Sequence, residues 1–497
     1  MRTSAGPGTR WLKQVLKIGL AGLAALLFLS YPTVMETKST ASGTLELAVG
    51  PAAGKASAKA PLPSWGPERD IPAYRVSVRD FGAKGDGKAD DTLKIQAAVD
   101  SVGKHGGGVV YFPNGVYKVS ESIVVKRDLV ALEGEGWGAE LRMVKHPKRV
   151  VTIQGSRDNV VRNLKISLGV ANAVRNDQDV GVYVTSAASN FMVENVFGEG
   201  KGIMVRGSVV KGTIRNNRIQ NTLADGIHLT GGSRFILVTG NELSHTGDDS
   251  IAVVSYESQK ALTMQVVIAD NRVRNSLSRG IAHVGGYQVE IRGNVIEGTS
   301  SSGILVDRDG NYQTFAPVLT TIEGNTVTGA GTYGVRRGNQ FGIEVSKGAS
   351  YVTISDNSVT GSKTRGISVI ADRTSIRNNV SSGNGDSGIQ VGADDVVVAG
   401  NLIEKNGIYG FFAEDSDRLR FTGNRLTDNN TRNRSHTDNF LLADSDDSEI
   451  TGNVSVETRK TMRIERSFEL TGSCKGTVFE KNQSQGTMSG AVVTCKP

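Results

Sequence analysis

The 497-residue chain is short of aromatics, at 6%, and holds only two cysteines against 61 glycines. That balance argues against a thick core and fits tight turns wrapped around a narrow one. It has no C-x-x-C pair and no His/Cys cluster, which excludes zinc sites of the usual spacing. Apolar spacing at i, i+3, i+4, i+7 is missing, and so is L-x-x-L-x-L, which excludes helical and leucine-rich repeats. A surplus of positive charge is also mostly absent. The net charge is +7, but Arg2, Arg10, Lys13 and Lys17 fall within the first 35 residues, and removing that segment leaves +3. Such a balance gives no basis for nucleic-acid binding.

What is present is one short phrase, written over and over. An Asn closes a turn after an apolar stretch at Asn163, Asn195, Asn217, Asn241, Asn271, Asn294, Asn325, Asn357, Asn379, Asn401, Asn424, Asn453 and Asn482. The gaps run from 22 to 32 residues. The floor near 22 is one coil of a solenoid, and the longer gaps are coils carrying inserted loops. Between the Asn residues lie strands such as Gly202-Ile-Met-Val205, Gly226-Ile-His-Leu229, Gly280-Ile-Ala-His283 and Gly303-Ile-Leu-Val306. Their apolar pair sits two apart, so both side chains point to one face. Stacked, these coils make a single-stranded parallel β-helix, with the Asn residues as an internal ladder. Asn suits such a turn because it tolerates the left-handed conformation. A hairpin sandwich would instead want Asn-Gly turns between paired strands. Cys474 and Cys495, about one coil apart, are placed to bridge neighbouring rungs in an oxidising compartment.

The N-terminus reads as an export signal. Four basic residues lead into an apolar run at residues 18–29, and no clear A-x-A site follows. Residues 1–35 are therefore a signal peptide or a signal anchor. An anchor would tether the chain to a membrane through residues 10–35. Residues 36–75, rich in Ala, Gly, Ser and Pro, read as a flexible linker, and residues 76–497 as the β-helix domain. The chain is expected to be exported, periplasmic or extracellular, and to act as a monomer.

Residues 78–100, VRDFGAKGDGKADDTLKIQAAVD, resemble the opening segment of the pectate-lyase-like superfamily, which includes the polygalacturonases of glycoside hydrolase family 28. The stretch from Gly106 to Tyr117 and the phrase Leu132-Glu-Gly-Glu-Gly-Trp137 continue that resemblance, which implies a single-stranded right-handed parallel β-helix. Residues 92–99 form a short helix that Asp90 or Asp91 can cap, and Ile95, Ala98 and Val99 give it an apolar face over the first coil. Asp80, Asp86, Asp90 and Asp91 are turn and cap residues, not catalysts.

Chemistry is sought on the middle coils. Polygalacturonases carry N-T-D-G, then G-D-D-C-I-A, G-H-G and R-I-K on successive coils. Here Asn221-Thr-Leu-Ala-Asp-Gly-Ile-His228 and Thr246-Gly-Asp-Asp-Ser-Ile-Ala252 match the first two. The resemblance therefore puts the catalytic carboxylates at Asp225, Asp248 and Asp249. Asp225 and Asp249 are one coil apart, so they share a strand edge about 4.8 Å apart along the axis. Carboxylates gathered in this way repel, and one pKa rises to make a general acid beside a general base. Ser278-Arg-Gly280 stands where G-H-G is expected, and no R-I-K follows. Arg279 offers a cation for a substrate carboxylate or sulfate. Strand parity turns His228 outward, as a substrate contact, and His283 inward, as a core residue. Asp307 and Lys347, at the ends of later strands, complete the expected substrate-binding set.

These residues point to glycoside hydrolysis of an extracellular, acidic polysaccharide by carboxylate acid/base catalysis, with inversion implied by the resemblance. No metal or cofactor is required. A lyase on the same fold would use calcium, with Asp248, Asp249 and Arg279 serving it. A uronate C5-epimerase typically carries D-P-H, which is not found, and a non-catalytic carbohydrate-binding protein remains the fourth reading. The binding groove is expected between the insertions at residues 256–265 and 307–320.

Overall fold

The computed structural model describes residues 61–335, 338–435 and 437–496. The expected signal or anchor, and the linker up to residue 60, lie outside the described residues. From Arg75 onward the chain winds through three long sheets, here A, B and C, of 16, 16 and 15 strands. Every pairing between successive strands is parallel, as a right-handed β-helix requires. Sheet C holds the G-I-x-V strands. Ile227, Ile251, Ile281, Ile304 and Ile343 pair in register, and each is fully buried. Further along, the same inward column switches to Phe411, Phe440 and Phe468, whose rings stack at 5.2 and 5.7 Å. A slip of one residue would turn this whole column to water, so the register is strongly specified.

The Asn ladder forms, with one correction. From Asn217 to Asn482 each side-chain amide donates to the next Asn Oδ1 at 2.9–3.1 Å. The same Oδ1 also accepts the preceding Asn backbone N–H. These ladder residues are not the left-handed ones. That conformation falls one residue earlier, at Asn216, Gly240, Asp270, Gly293 and Gly324 among others. Asn163 and Asn195 belong to this earlier position, with φ of 57° and 50°. Val196 then occupies the ladder position, and its N–H donates to Asn217 Oδ1. The turn needs two adjacent polar-tolerant positions, and a lone Asn cannot say which one it fills.

At the N-terminal end, helix Thr92–Lys104 buries Ile95, Ala98, Val99 and Val102 against the first coil. Asp90 caps it, accepting from Thr92 N and Oγ1, whereas Asp91 turns back to accept the N–H groups of Lys84 and Gly85. The expected linker boundary at residue 75 moves toward the N-terminus. Residues 63–75 run over the outer face of sheet A, where Trp65 packs on Leu237, Val267 and Ala269, and Arg69 pairs with Asp158. The Ala/Gly/Ser-rich composition ends before this segment, which carries Trp65, Ile71 and Tyr74 to bury. At the other end Cys474 and Cys495 form a disulfide with Cα atoms 5.6 Å apart. Among the described residues no helix is long and apolar enough to cross a membrane.

Candidate active site

The site follows from the sheet C register. Asp225, Asp249 and Arg279 each stand two residues before the stacked isoleucines Ile227, Ile251 and Ile281, so three consecutive coils present them at one strand edge. Gly226 and Gly280 let the edge turn this closely. A Cβ on Gly226 would lie 2.5 Å from Leu243 and 2.6 Å from Ser250 O, and one on Gly280 2.6 Å from Gly303 O.

Each carboxylate there has a partner. Asp225 Oδ2 sits 2.6 Å from His228 Nδ1, and its Oδ1 accepts the Asp249 N–H at 3.1 Å. Asp249 accepts the Arg279 backbone N–H at 3.0 Å and Arg279 Nη2 at 2.9 Å. Asp248 pairs with Arg175. One oxygen from each of the three acids lies within 4.8 Å of the others. The strand-edge position, which would be expected to expose Asp249, leaves it buried instead. It is 4% exposed, because Arg279 folds over it from the next coil. Burial, reinforced by Asp248 and Asp225 and opposed by Arg279, pushes its pKa up to about 7. Arg279 is held above the ordinary arginine range despite its own burial, by Asp249 first among the carboxylates. Tyr256, on the facing loop, is pushed up to about 12 by burial and then by Asp225.

These groups line a cleft of about 670 Å³ over the outer face of sheet C. Its floor includes His228, Ala252 and Met204, aligned by strand pairing. Tyr256, Ser258 and Gln259 come from one expected insertion, and Asp309, Tyr312 and Thr314 from the other. Asp225, Asp248, Asp249, His228 and Arg279 thus gather as read from the sequence. Asp307 and Lys347 do not. Asp307 ends a strand three residues beyond Ile304, at the opposite sheet edge, where burial raises its pKa beside Glu344 and Asp309. Lys347 is exposed in the turn after the following strand, away from the cleft lining. His283 is fully buried, with Nδ1 3.1 Å from Thr320 Oγ1, and burial lowers its pKa to about 3.

Sequence reasoning missed Arg175. It arrives on the loop of residues 169–179, anchored where Asp179 pairs with the fully buried Lys201. The only sign of that loop was the 32-residue gap between Asn163 and Asn195.

A trio of carboxylate oxygens is the hard donor set that calcium takes. Here, however, Arg175 and Arg279 already neutralise two of the three, and His228 engages the third. A divalent ion would have to displace both guanidinium groups. The arrangement fits proton transfer better than metal binding.

Against known proteins, residues 75–314 match the family described as "Rhamnogalacturonase A/epimerase, pectate lyase-like". Residues 280–453 and 341–496 match "Right handed beta helix region". Curated relatives match over short stretches. Alginate lyase 7 of Azotobacter vinelandii is 48% identical over 68 residues, 12% of this chain and 8% of that protein. A mannuronan C5-epimerase of the same organism is 46% identical over 68 residues, 12% of either chain. Matches to the curated relatives cover between 2% and 12% of the relatives' own length. Among solved structures, a tailspike protein of E. coli bacteriophage HK620, in complex with a hexasaccharide, superposes with a TM-score of 0.53 at 12% identity, covering 83% of this chain and 78% of that one. That likeness is one of fold.

Proposed function

We propose that this chain, a pectate-lyase-like right-handed β-helix protein, is a glycoside hydrolase acting on an extracellular acidic polysaccharide. The observation that carries the reading is the carboxylate trio: three acids gathered at one strand edge, the most buried of them pushed by burial toward its protonated form. In the proposed reaction Asp249 gives its proton to the leaving glycosidic oxygen. Asp225, held by His228, activates water, and Asp248, paired with Arg175, steadies positive charge developing on the sugar ring. Inversion at the anomeric carbon is the outcome implied by the polygalacturonase resemblance, whereas carboxylate oxygens within 4.8 Å of one another are nearer the spacing of retaining enzymes than the about 6.5–9.5 Å of inverting ones, and NMR of the first-formed anomer decides between them.

A second reading, β-elimination or C5-epimerisation, has its own support in the Asp225–His228 pair. With Nδ1 engaged at 2.6 Å, the imidazole is oriented with Nε2 left for substrate, as a proton-abstracting base requires. The curated relatives named as a lyase and an epimerase lend it weight. Incubating the purified chain with a panel of uronate-containing and neutral polysaccharides separates the two. New reducing ends alone support hydrolysis, whereas ultraviolet-absorbing unsaturated ends or altered uronate stereochemistry would replace it with the second reading.

The proposal includes export, since a polymer substrate lies outside the cell. The Cys474–Cys495 pairing is consistent with an oxidising compartment. A fusion of residues 1–60 to a reporter active only outside the cytoplasm tests it.

A further inference from the structure

We propose that Arg206, Tyr256 and Tyr312 form a recognition subsite for a uronic acid ring next to the ring that reacts, with Arg206 pairing with its carboxylate. The proposal rests on the reading of the cleft as a polysaccharide site and names the residues that would select an acidic sugar.

The argument begins with charge. Three arginines line the cleft among the described residues: Arg175, Arg206 and Arg279. Arg175 is spent on Asp248 and Arg279 on Asp249. Arg279, the cation expected from sequence to meet a substrate anion, is therefore already neutralised. Arg206 is exposed and pairs with no carboxylate among the described residues. It follows Ile203 by three residues, while Asp225 precedes the paired Ile227 by two. At about 3.3 Å per residue the two positions are about 16 Å apart along the strand direction. Arg206 thus stands at the opposite strand end from Asp225, on the side where a neighbouring ring would lie, with Tyr256 in electrostatic range of both.

The facing loops give the cleft an aromatic wall. Tyr312 is 70% exposed, an unusual state for a ring on a well-held loop. Asp309 Oδ1 accepts the N–H groups of Asn311 and Tyr312, fixing the turn. The two insertions lock to each other through the Tyr256–Thr314 bridge, the Glu257 N–H to Gln313 O bond at 2.8 Å, and the Arg308–Glu257 pair. A rigid, exposed ring at a cleft wall offers the flat apolar face on which a pyranose stacks, at little ordering cost. Tyr256 adds a hydroxyl from the partly buried side. A charged group, a stacking face and a hydroxyl converging on one cleft are what orients a sugar acid.

The test uses the full chain carrying Asp249→Asn, so that probes are not consumed. Binding of tetragalacturonate and of tetramannuronate is measured by calorimetry, each beside its carboxyl-reduced, neutral counterpart. At least one uronate should bind more tightly than its neutral form. Arg206→Ala should weaken uronate binding about tenfold and leave the neutral counterpart within about twofold, the effect of one charge-assisted pair. Tyr312→Ala should weaken both forms, and Tyr312→Phe should restore them. Equal loss on both forms with Arg206→Ala, or no uronate preference in the parent, overturns the subsite. Cleavage of a neutral glycan without uronate discrimination would sink this proposal and the acidic substrate with it, but leave the hydrolase reading standing. Uronate discrimination without bond cleavage by the wild type would sink only the hydrolase reading.

Discussion

Asp249 is where opposing forces meet. Burial and two neighbouring carboxylates disfavour its charge, and the Arg279 guanidinium favours it. The first group wins, so its folded-state pKa lies above the unfolded value. The stability it contributes is then complete below about pH 4 and is lost as pH rises through about 7. Asp249→Asn should flatten the pH dependence of urea unfolding across that window. It should also lower turnover about 10²–10⁴-fold on any polysaccharide the wild type cleaves, the usual contribution of a proton donor. Reducing-end assays and urea titrations at pH 4 and 8 check both halves. The alkaline limb of the wild-type rate profile should fall near pH 7, where the proton is lost. Full activity in both Asp225→Asn and Asp249→Asn would move the chemistry to another coil.

At the level of the element, the ladder and the core column differ in what they tolerate. Asn294 donates to Ile268 O and Asn325 Oδ1 and accepts twice from Asn271, all buried. Asn294→Ala strands several of these groups and should cost about 3 kcal/mol or more in chemical unfolding. Asn195 sits in the left-handed position instead, with one partly buried bond to Asn163, so Asn195→Gly should cost under about 1 kcal/mol. Sequence alone ranks these two residues equally, because both end the same phrase. The G-I-x-V strands were legible because inward parity repeats locally on every coil, and Asp225, Asp249 and Arg279, picked out by the polygalacturonase-like motifs, are brought to one edge by that register. Arg175 was not legible, since its partner Asp248 lies 73 residues away on a loop that no periodicity describes. The burial of Asp249 was likewise hidden, because it depends on how a side chain from the next coil folds back. His283 shows parity read correctly. It lies between Val253 and Val306 in register and is buried neutral. Its lowered pKa means that stability falls as pH drops below about 6.5. His283→Val should therefore gain about 2 kcal/mol at pH 5 relative to its effect at pH 8, at 1.36 kcal/mol per unit below the unfolded value. Thermal or urea melts at the two pH values measure the difference.

Across the whole molecule, stability is set by neighbours along one axis, since each coil touches only the coil before and the coil after. The ends are then the weak points, and the two ends are closed differently. Helix Thr92–Lys104 covers the first coil with buried Ile95, Val99 and Val102. At the far end, strand Ser489–Lys496 pairs on one side only, with Arg466–Ser473, and Cys474–Cys495 holds it there across 21 residues. Closing a loop of this length restricts the unfolded chain by about 3 kcal/mol. In a compact two-state domain that loss would lower the whole unfolding transition. In a solenoid it should fall on the last coil alone. Cys474→Ser with Cys495→Ser should therefore speed amide exchange in residues 466–496 by about two orders of magnitude, the rate equivalent of 3 kcal/mol. Exchange at the ladder amides of Asn241, Asn271 and Asn294 should not change, and neither should cleavage of the polysaccharide, because the cleft lies several coils away. Faster exchange at the central ladder would mean that the coils unfold as one unit, and the nearest-neighbour account of this molecule would fail.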